Sequence, residues 1–324
     1  MSKADNLMFT FESDASKKTN IEAVASIFKK PGFRLFLMSV PFLVVILLFY
    51  YLPLLGWSIA FIDYQPGISI LKSRFTGFKS FEEVLTIGGN LYLVLRNTLV
   101  MSLLGIIFSP TPIVFALMLS EVRSKRFSKI VQTVTSFPNF ISWILVYAIV
   151  YSVIAQSDSV FNTILLKFNI IKTPVNILSN PDMVWPFQLI LQLWKNTGWQ
   201  AIIYIATIAG IDSELYAAAE VDGAGRFRKI LHITIPGVMG TYIVLLMLQI
   251  SNMLSNGFEQ YYVFHGPMVH EKIAVLDYYL YQTGLGEGNF SFSTAMGIFK
   301  TLISIILLFS VNGISKKIRG ESIV

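Results

Sequence analysis

Apolar residues are gathered into long runs along this chain. Six such runs occur, at residues 35–62, 97–120, 130–157, 183–211, 233–258 and 288–315. Only the fourth and sixth contain a charged side chain, which is a single lysine in each, Lys195 and Lys300. A helix needs about 20 mostly apolar residues to cross the ~30 Å hydrocarbon core of a bilayer. The pattern therefore predicts six transmembrane helices.

The predicted architecture is all-α, a polytopic membrane protein with one domain. An N-terminal segment at 1–32 precedes the six-helix domain at 33–319, and a short tail follows at 320–324. A polar loop at 214–236 separates the fourth span from the fifth. The spans are expected at about 35–60, 97–120, 133–156, 184–210, 236–258 and 291–314.

Lysine and arginine are distributed unequally between the two sides of these spans. Of the 25 in the chain, 16 fall in the N-terminal segment, the second and fourth loops and the C-terminus, and seven in the other loops. Loops rich in Lys and Arg remain in the cytoplasm, so both termini are expected there. This placement also explains the formal net charge of +6, and a nucleic-acid partner is not needed to account for it.

Composition excludes several classes of function. Only 14% of the residues are charged, against about 25% in soluble domains. The chain has no cysteine, and its three histidines lack ligand spacing, so neither a metal site nor a cofactor is predicted. A membrane-embedded enzyme and a plain membrane anchor are weaker alternatives. An ion-coupled secondary transporter usually carries mid-membrane acids, whereas here only Glu259 comes near a span, at an outer end.

The stretch "ELYAAAEVDGAGRFRKILHITIPGV" at 214–238 is polar between two apolar runs. Its alanines favour a helix, and Asp222-Gly223 favours a turn. A second helix with Phe227, Ile230 and Leu231 on one face is then predicted to stop at Pro236. One interpretation is an interfacial helix on lipid headgroups. The other is a small, flat surface for another protein.

This stretch resembles the cytoplasmic loop of binding-protein-dependent ABC importer permeases. The family pattern is Glu-Ala-Ala, three residues, Gly, nine residues, Ile, one residue, Leu-Pro. Here Ala217 replaces the glutamate and Ile235 replaces the leucine, and Glu220 lies one turn further on. The resemblance implies an ATPase-coupling loop formed by Ala217, Ala218, Ala219, Glu220, Asp222, Gly223, Ala224, Arg226, Ile233 and Pro236.

The resemblance extends over nearly the whole chain. "YYLPLLGWSIAFIDYQPG", "SFPNFISWILV" and "FSTAMGIFKTLISIILLFSVNGISKKI" look like the oligosaccharide and polysaccharide branch of this family, alginate importers most of all. It implies a type I, MetI-like bundle in the inner membrane, paired with a second permease. A periplasmic binding protein would deliver alginate or a similar acidic sugar, or a neutral oligosaccharide. No phosphate-binding Gly-x-x-x-x-Gly-Lys-Ser/Thr motif occurs, so ATP and magnesium are expected on a partner ATPase dimer.

Polar residues at membrane depth are the candidates for a translocation path. They are Gln192, Lys195, Asn196, Asn252, Asn256, Glu259, Gln260 and Lys300. Our hypothesis is that some of them line a sugar channel and that Lys195 or Lys300 attracts uronate carboxylates. Alternatively, Lys195 pairs with Glu259 or a carbonyl, Lys300 snorkels outward, and the asparagines join helices.

Overall fold

The computed structural model describes residues 31–86, 90–155 and 159–319. Most of the predicted N-terminal segment and the predicted tail lie outside the described residues. The chain divides into two units, before and after Ala60. In the first unit, α1 (Pro31–Ile46) continues as a π-helical turn and then as a 3-10 helix at Leu52–Phe61. Pro53 cannot donate a backbone hydrogen bond, which accounts for the irregular hydrogen bonding at this point.

The second unit opens with two short antiparallel strands, β1 (Ile62–Asp63) and β2 (Arg74–Phe75). Its α-helices are α2 (Lys79–Thr86), α3 (Asn90–Ile107), α4 (Thr111–Ser120), α5 (Lys125–Ser136), α6 (Trp143–Val150), α7 (Val160–Lys167), α8 (Val184–Ala209), α9 (Ser213–Val221), α10 (Arg226–Lys229), α11 (Ile235–Ser251), α12 (Glu259–Val263), α13 (His270–Ile273), α14 (Leu276–Tyr281) and α15 (Phe290–Arg319). Short 3-10 segments lie at Ile70–Lys72, Phe137–Phe140, Ile177–Ser179 and Pro181–Met183, and π-helical turns at Tyr151–Ala155, Ile230–Thr234 and Gln282–Gly286.

Five helical stretches in the described chain are long and apolar enough to cross a membrane. They are Pro31–Phe61, Leu91–Ser120, Trp143–Lys167, Arg226–Ser251 and Phe290–Lys317. A sixth candidate is the pair Pro181–Ala209 and Ser213–Val221, which is bent by 67°. The number agrees with the expected six if this bent pair is one span.

The third candidate span begins later than predicted. Residues 133–136 belong to α5, which ends at the 3-10 turn containing Pro138. The apolar helix α6 starts only at Trp143, where the Ser142 side chain accepts a hydrogen bond from the backbone of Leu145. The uncharged run 130–157 therefore contains two elements, because a proline interrupts it without changing its overall hydropathy.

Pro236 does not end a helix, so that prediction is wrong. The helix that begins at Arg226 passes through the π-helical turn Ile230–Thr234 and continues to Ser251 as one candidate span. Proline lacks the N–H that would bind a carbonyl one turn earlier, and the π turn lies at that place. The second half of the polar loop is thus continuous with the fifth span.

The core of the second unit lies around α8. In one cluster, large side chains such as Tyr261, Phe292 and Met101 are almost fully buried. In the other, Ala116 of α4 and Ala201 of α8 are 0% exposed, and Val238 of α11 packs with them. Small residues at these crossings let the helices approach closely. This packing places α3, α4, α8 and α11 around a common groove.

Candidate functional site

Three adjoining cavities lie between the α3–α4 segment, α8 and α11. Their volumes are about 320, 90 and 430 Å³. The first two share Gly105, Gln192 and Gln249, and the last two share Ser109, Gln200 and Gln249. Since Gln249 lines all three, we treat them as one continuous groove.

Side-chain amides dominate the polar lining of the groove. On α8, Gln192, Asn196 and Gln200 are spaced four residues apart, which places them on one helical face. Opposite them lie Gln249 at the end of α11 and two asparagines from the loop that follows it. An amide both donates and accepts hydrogen bonds, as a sugar hydroxyl does. All the lining residues are within the described chain, and none of them is Asp, Glu, Lys or Arg.

Glycine and aromatic residues shape the same groove. A Cβ added to Gly105 would stand 3.1 Å from Nε2 of Gln249, so the glycine leaves room for that amide to lie across the helix. Trp199 and Tyr242 line the widest cavity. Aromatic faces pack against the apolar C–H faces of pyranose rings, while amides bind the hydroxyls at their edges. The groove thus has the side-chain chemistry to bind a saccharide.

Lys195 lies on another face of α8, away from the groove. Its Nζ donates to the carbonyl oxygens of Pro138 at 3.1 Å, of Asn139 at 2.9 Å and of Ile141. These three acceptors match the three N–H bonds of an ammonium group. The nitrogen also lies 5.3 Å from the ring centroid of Trp143. The structure thus shows the carbonyl alternative for Lys195 and does not place this lysine at the groove.

Lys300 is neutralised within the protein. Its ammonium forms an ion pair with the carboxylate of Asp277, and the two side chains are only 18% and 15% exposed. Lys300 lines none of the three cavities and does not snorkel outward. The hypothesis that Lys300 attracts uronates therefore gains no support from this groove.

The predicted polar residues after α11 have different environments. Asn252 and Asn256 line the groove, although they lie in a loop and not on the fifth helix. Gln260 is 3% exposed and donates to the Gln188 side chain at 2.7 Å, so it joins α12 to α8 and lines none of these cavities. Glu259 is exposed, and it forms no ion pair among the residues described.

Asn196 both lines the groove and joins two elements. Its Oδ1 accepts a hydrogen bond from Nδ2 of Asn139 at 3.1 Å. This bond joins α8, which contains Asn196, to the 3-10 turn that contains Asn139. Gln192, from the fourth apolar run, also lines the groove. Sequence reasoning missed Gln200, Gln249, Ser102 and Ser109. The four-residue spacing on α8 was the available signal for Gln200.

The 214–236 loop forms a helix, a turn and a second helix. The Asp212 side chain accepts from the backbone of Glu214 at 2.9 Å and caps α9. At the other end Gly223 has φ +71°, and the Ala224 N–H binds the Ala219 carbonyl at 2.8 Å. Glycine adopts this left-handed conformation readily, which explains its place at the turn.

Two ion pairs hold the 214–236 loop. Glu220 accepts from Lys229 at 2.7 Å, so its carboxylate is bound within the loop. Arg226 lies 3.2 Å from the carboxylate of Glu121, the residue that follows α4. Since α4 begins beside the groove lining at Pro112, this ion pair connects the loop to a helix of the groove.

The surface of the 214–236 loop includes exposed apolar side chains among its charged ones. Val221 is 89% exposed and Phe227 is 88% exposed. Ala217 and Ala218 are exposed as well, whereas Ala219, Ala224 and Ile233 are partly buried. Asp222 and Pro236 are exposed. Exposed small and apolar side chains that lie together are typical of a surface that binds another protein.

Over residues 108–320 the chain matches the family described as "Binding-protein-dependent transport system inner membrane component". It belongs to this family, and the expected location in the inner membrane is confirmed. "Polygalacturonan/rhamnogalacturonan transport system permease protein YteP" of Bacillus subtilis is 39% identical over 290 residues, which are 89% of each chain. "Protein LplB" of the same organism is 37% identical over 290 residues, 89% of this chain and 90% of that one.

A solved structure is similar to this chain over most of its length. It is the crystal structure of a bacterial alginate ABC transporter in complex with an alginate pentasaccharide-bound periplasmic protein. The matched chain has 31% sequence identity and a TM-score of 0.82, and the match covers 92% of this chain and 99% of that one. The predicted all-α importer-permease fold is therefore confirmed.

Proposed function

We propose that this chain is a permease subunit of an ATP-driven, binding-protein-dependent importer and that it passes an oligosaccharide or polysaccharide fragment across the inner membrane. The observation that carries the proposal is the continuous groove, which is lined by amides and aromatic rings and by no charged side chain. Membership of the transport family and the saccharides named for its relatives support the same conclusion.

We further propose an acidic saccharide as the substrate. The solved relative is described as involved in the import of the acidic polysaccharide alginate. The full name of the relative YteP includes polygalacturonan, which is a polymer of a uronic acid. Amide N–H groups such as those of Gln192 and Gln249 can donate to a uronate carboxylate without a lysine. A neutral oligosaccharide is the second candidate, because the groove carries no positive charge to select an acid.

The proposed partners follow from the two faces of the chain. A cytoplasmic ATPase dimer would receive the apolar surface around Val221 and Phe227, with ATP and magnesium bound by the ATPase alone. Both termini would lie on that same side, as the Lys and Arg distribution predicts. A second permease would close the groove, and a periplasmic binding protein would deliver the sugar.

Purification and transport test the proposal together. A tagged chain extracted gently from its own host should carry an ATPase and a second permease, and both should be lost when residues 217–233 are deleted. In vesicles rebuilt from these subunits, uptake should require ATP and should persist after the ion gradients are collapsed. Recovery of an intact, isolated chain, or uptake that stops with the gradients, would contradict the proposal.

The substrate class is tested by ATP hydrolysis. The complex is supplied with its binding protein and with oligosaccharides of matched length, either uronate-containing or neutral. Stimulation by the uronate series alone is expected. Stimulation by the neutral series alone would be consistent with the importer function, but it would show that the substrate is a neutral oligosaccharide.

A further inference from the structure

The segment after α11 forms a short wall of the groove. We call residues 252–257 the amide loop. Asn252, Met253, Ser255 and Asn256 all line the cavity of about 320 Å³. The loop has no regular secondary structure beyond a turn. Its shape therefore depends on the groups that bind its backbone and side chains from neighbouring helices.

One anchor of the amide loop is Ser102 on α3. Nδ2 of Asn256 donates to the Ser102 hydroxyl at 2.9 Å, and this hydroxyl donates to the carbonyl of Met253. The Oδ1 atom of Asn256 is buried and has no partner within the described chain. A buried acceptor without a partner is uncommon, and here it borders the cavity.

The second anchor is Asp277 near the start of α14. One carboxylate oxygen accepts from the backbone N–H of Gly257 at 3.0 Å, and the other accepts from Lys300 of α15. Gly257 has φ +86°, a conformation that ends the loop and turns its N–H toward the acid. Lys300 thus fixes the carboxylate, and the carboxylate fixes the loop.

Asp277 is itself held rigidly. The N–H of Leu276 donates to the Thr98 hydroxyl at 2.8 Å, and Asn97 donates to the Ala274 carbonyl at 2.9 Å. Both Asn97 and Thr98 are 0% exposed on α3. The ion pair therefore connects α15 to α14, and Asp277 connects α14 to the amide loop. The hydrogen bonds from α3 hold the backbone on the N-terminal side of Asp277.

We infer that Asp277 and Lys300 are positioning residues for transport: they hold the amide loop in the shape that presents Asn252 and Asn256 to the substrate. The inference rests on the proposed function, since it concerns the same groove. Neither residue lines the three cavities of the groove. Charge on the substrate is therefore not what Lys300 recognises, and its loss affects acidic and neutral saccharides alike.

Thiol labelling of the purified complex tests the inference directly. The chain has no cysteine, so a single Leu254→Cys variant, at a buried position of the amide loop, reports the opening of the loop. In this background Asp277→Leu with Lys300→Met removes the acceptor of Gly257 without leaving an unpaired charge, a change that usually preserves the fold. We expect labelling to accelerate about tenfold, because a charge-assisted hydrogen bond is lost. Lys300→Met alone should act in the same direction.

Lys316→Met is the matched control, since it makes the same exchange at an exposed position of the same helix. It should label at the rate of the parent. In parallel, the double variant should show a raised KM for uptake of every transported saccharide. Parent-like labelling of the double variant would overturn the inference. Failure of the parent complex to take up any saccharide would instead refute the proposed function, and the labelling result would be unaffected.

Discussion

The ammonium of Lys195 lies 2.9 Å from the carbonyl oxygen of Asn139, and it thereby caps the end of a neighbouring helix. The carbonyls at this point follow α5, where the helix leaves acceptors without intrahelical partners. A positive charge at a helix C-terminus is also favourable to the helix dipole. This lysine is therefore part of the scaffold that holds α8 against the turn at Pro138.

Lys195→Met should destabilise the protein without changing its selectivity. Buried carbonyls left without a donor cost about 1–3 kcal/mol in total stability. Thermal unfolding followed by tryptophan fluorescence should shift downward by several degrees, while the uptake ratio of acidic to neutral saccharide stays constant. Lys167→Met, at an exposed position, serves as the control. A selective loss of acidic saccharide would show that the lysine acts on the substrate.

Gly198→Ala should prevent normal packing of α8. A Cβ at this position would stand 2.2 Å from the Thr135 carbonyl oxygen, which belongs to the backbone of α5 and cannot move aside alone. We expect a large fall in the yield of folded protein by size-exclusion chromatography. The matched change Gly297→Ala has nothing within 4 Å and should be neutral or stabilising by about 0.5–1 kcal/mol. Equal behaviour of the two variants would contradict this account.

Phe227→Ala should weaken attachment of the proposed ATPase partner and leave this chain folded. The ring is 88% exposed, so little internal packing is lost. A large apolar side chain at the centre of an interface commonly contributes about 2 kcal/mol or more, which predicts at least a roughly thirtyfold weaker complex. Co-purification and binding titration measure the effect. Phe75→Ala, at another exposed phenylalanine, should retain the ATPase.

His265 should make stability depend on pH. Burial lowers the pKa of His265, and the neighbouring His270 lowers it further. The unfolded chain, with a histidine pKa of about 6.5, then binds more protons than the folded chain at mildly acidic pH. Stability should fall as the pH drops below about 6.5, toward the lowered pKa of the folded state. The ring of Tyr278 stacks on that of His265, with the ring centroids 4.6 Å apart.

Thermal unfolding between pH 8 and pH 5 tests the histidine prediction. His265→Gln also loses the 2.7 Å hydrogen bond to His270, so it should be less stable at every pH. The informative quantity is the change of the unfolding temperature with pH. The wild-type protein should lose more stability than the variant as the pH falls, and parallel curves would contradict the prediction.

The apolar runs were sufficient to predict the all-α class and the candidate spans, of which there are five, or six if the bent pair is one span, because hydrocarbon thickness alone sets that pattern. They could not predict where α5 ends, since Pro138 interrupts the helix without changing hydropathy. The helix–turn–helix at 214–236 was predictable from local signals, including Gly223. The continuation of its second helix past Pro236 was not predictable, because it depends on the π-helical turn that precedes the proline.

The candidate path was predicted only in part. Of the candidates for the path, Gln192, Asn196, Asn252 and Asn256 line the groove, because polar side chains in a bundle face cavities or other helices. The groups that bind the two lysines could not be identified from the sequence, because they are distant along the chain. Pro138 is 57 residues from Lys195, and Asp277 is 23 residues from Lys300. No local pattern identifies such partners.

The most direct test of the groove as the translocation path is a single Gln249→Cys variant in the reconstituted importer. Its thiol is the only one in the chain, at the position shared by all three cavities. We predict that a bulky thiol reagent abolishes ATP-driven uptake and that transported saccharide slows the modification. Ser69→Cys, in an exposed loop, should be modified equally with and without saccharide. Full uptake after complete modification of Cys at position 249 would contradict the account.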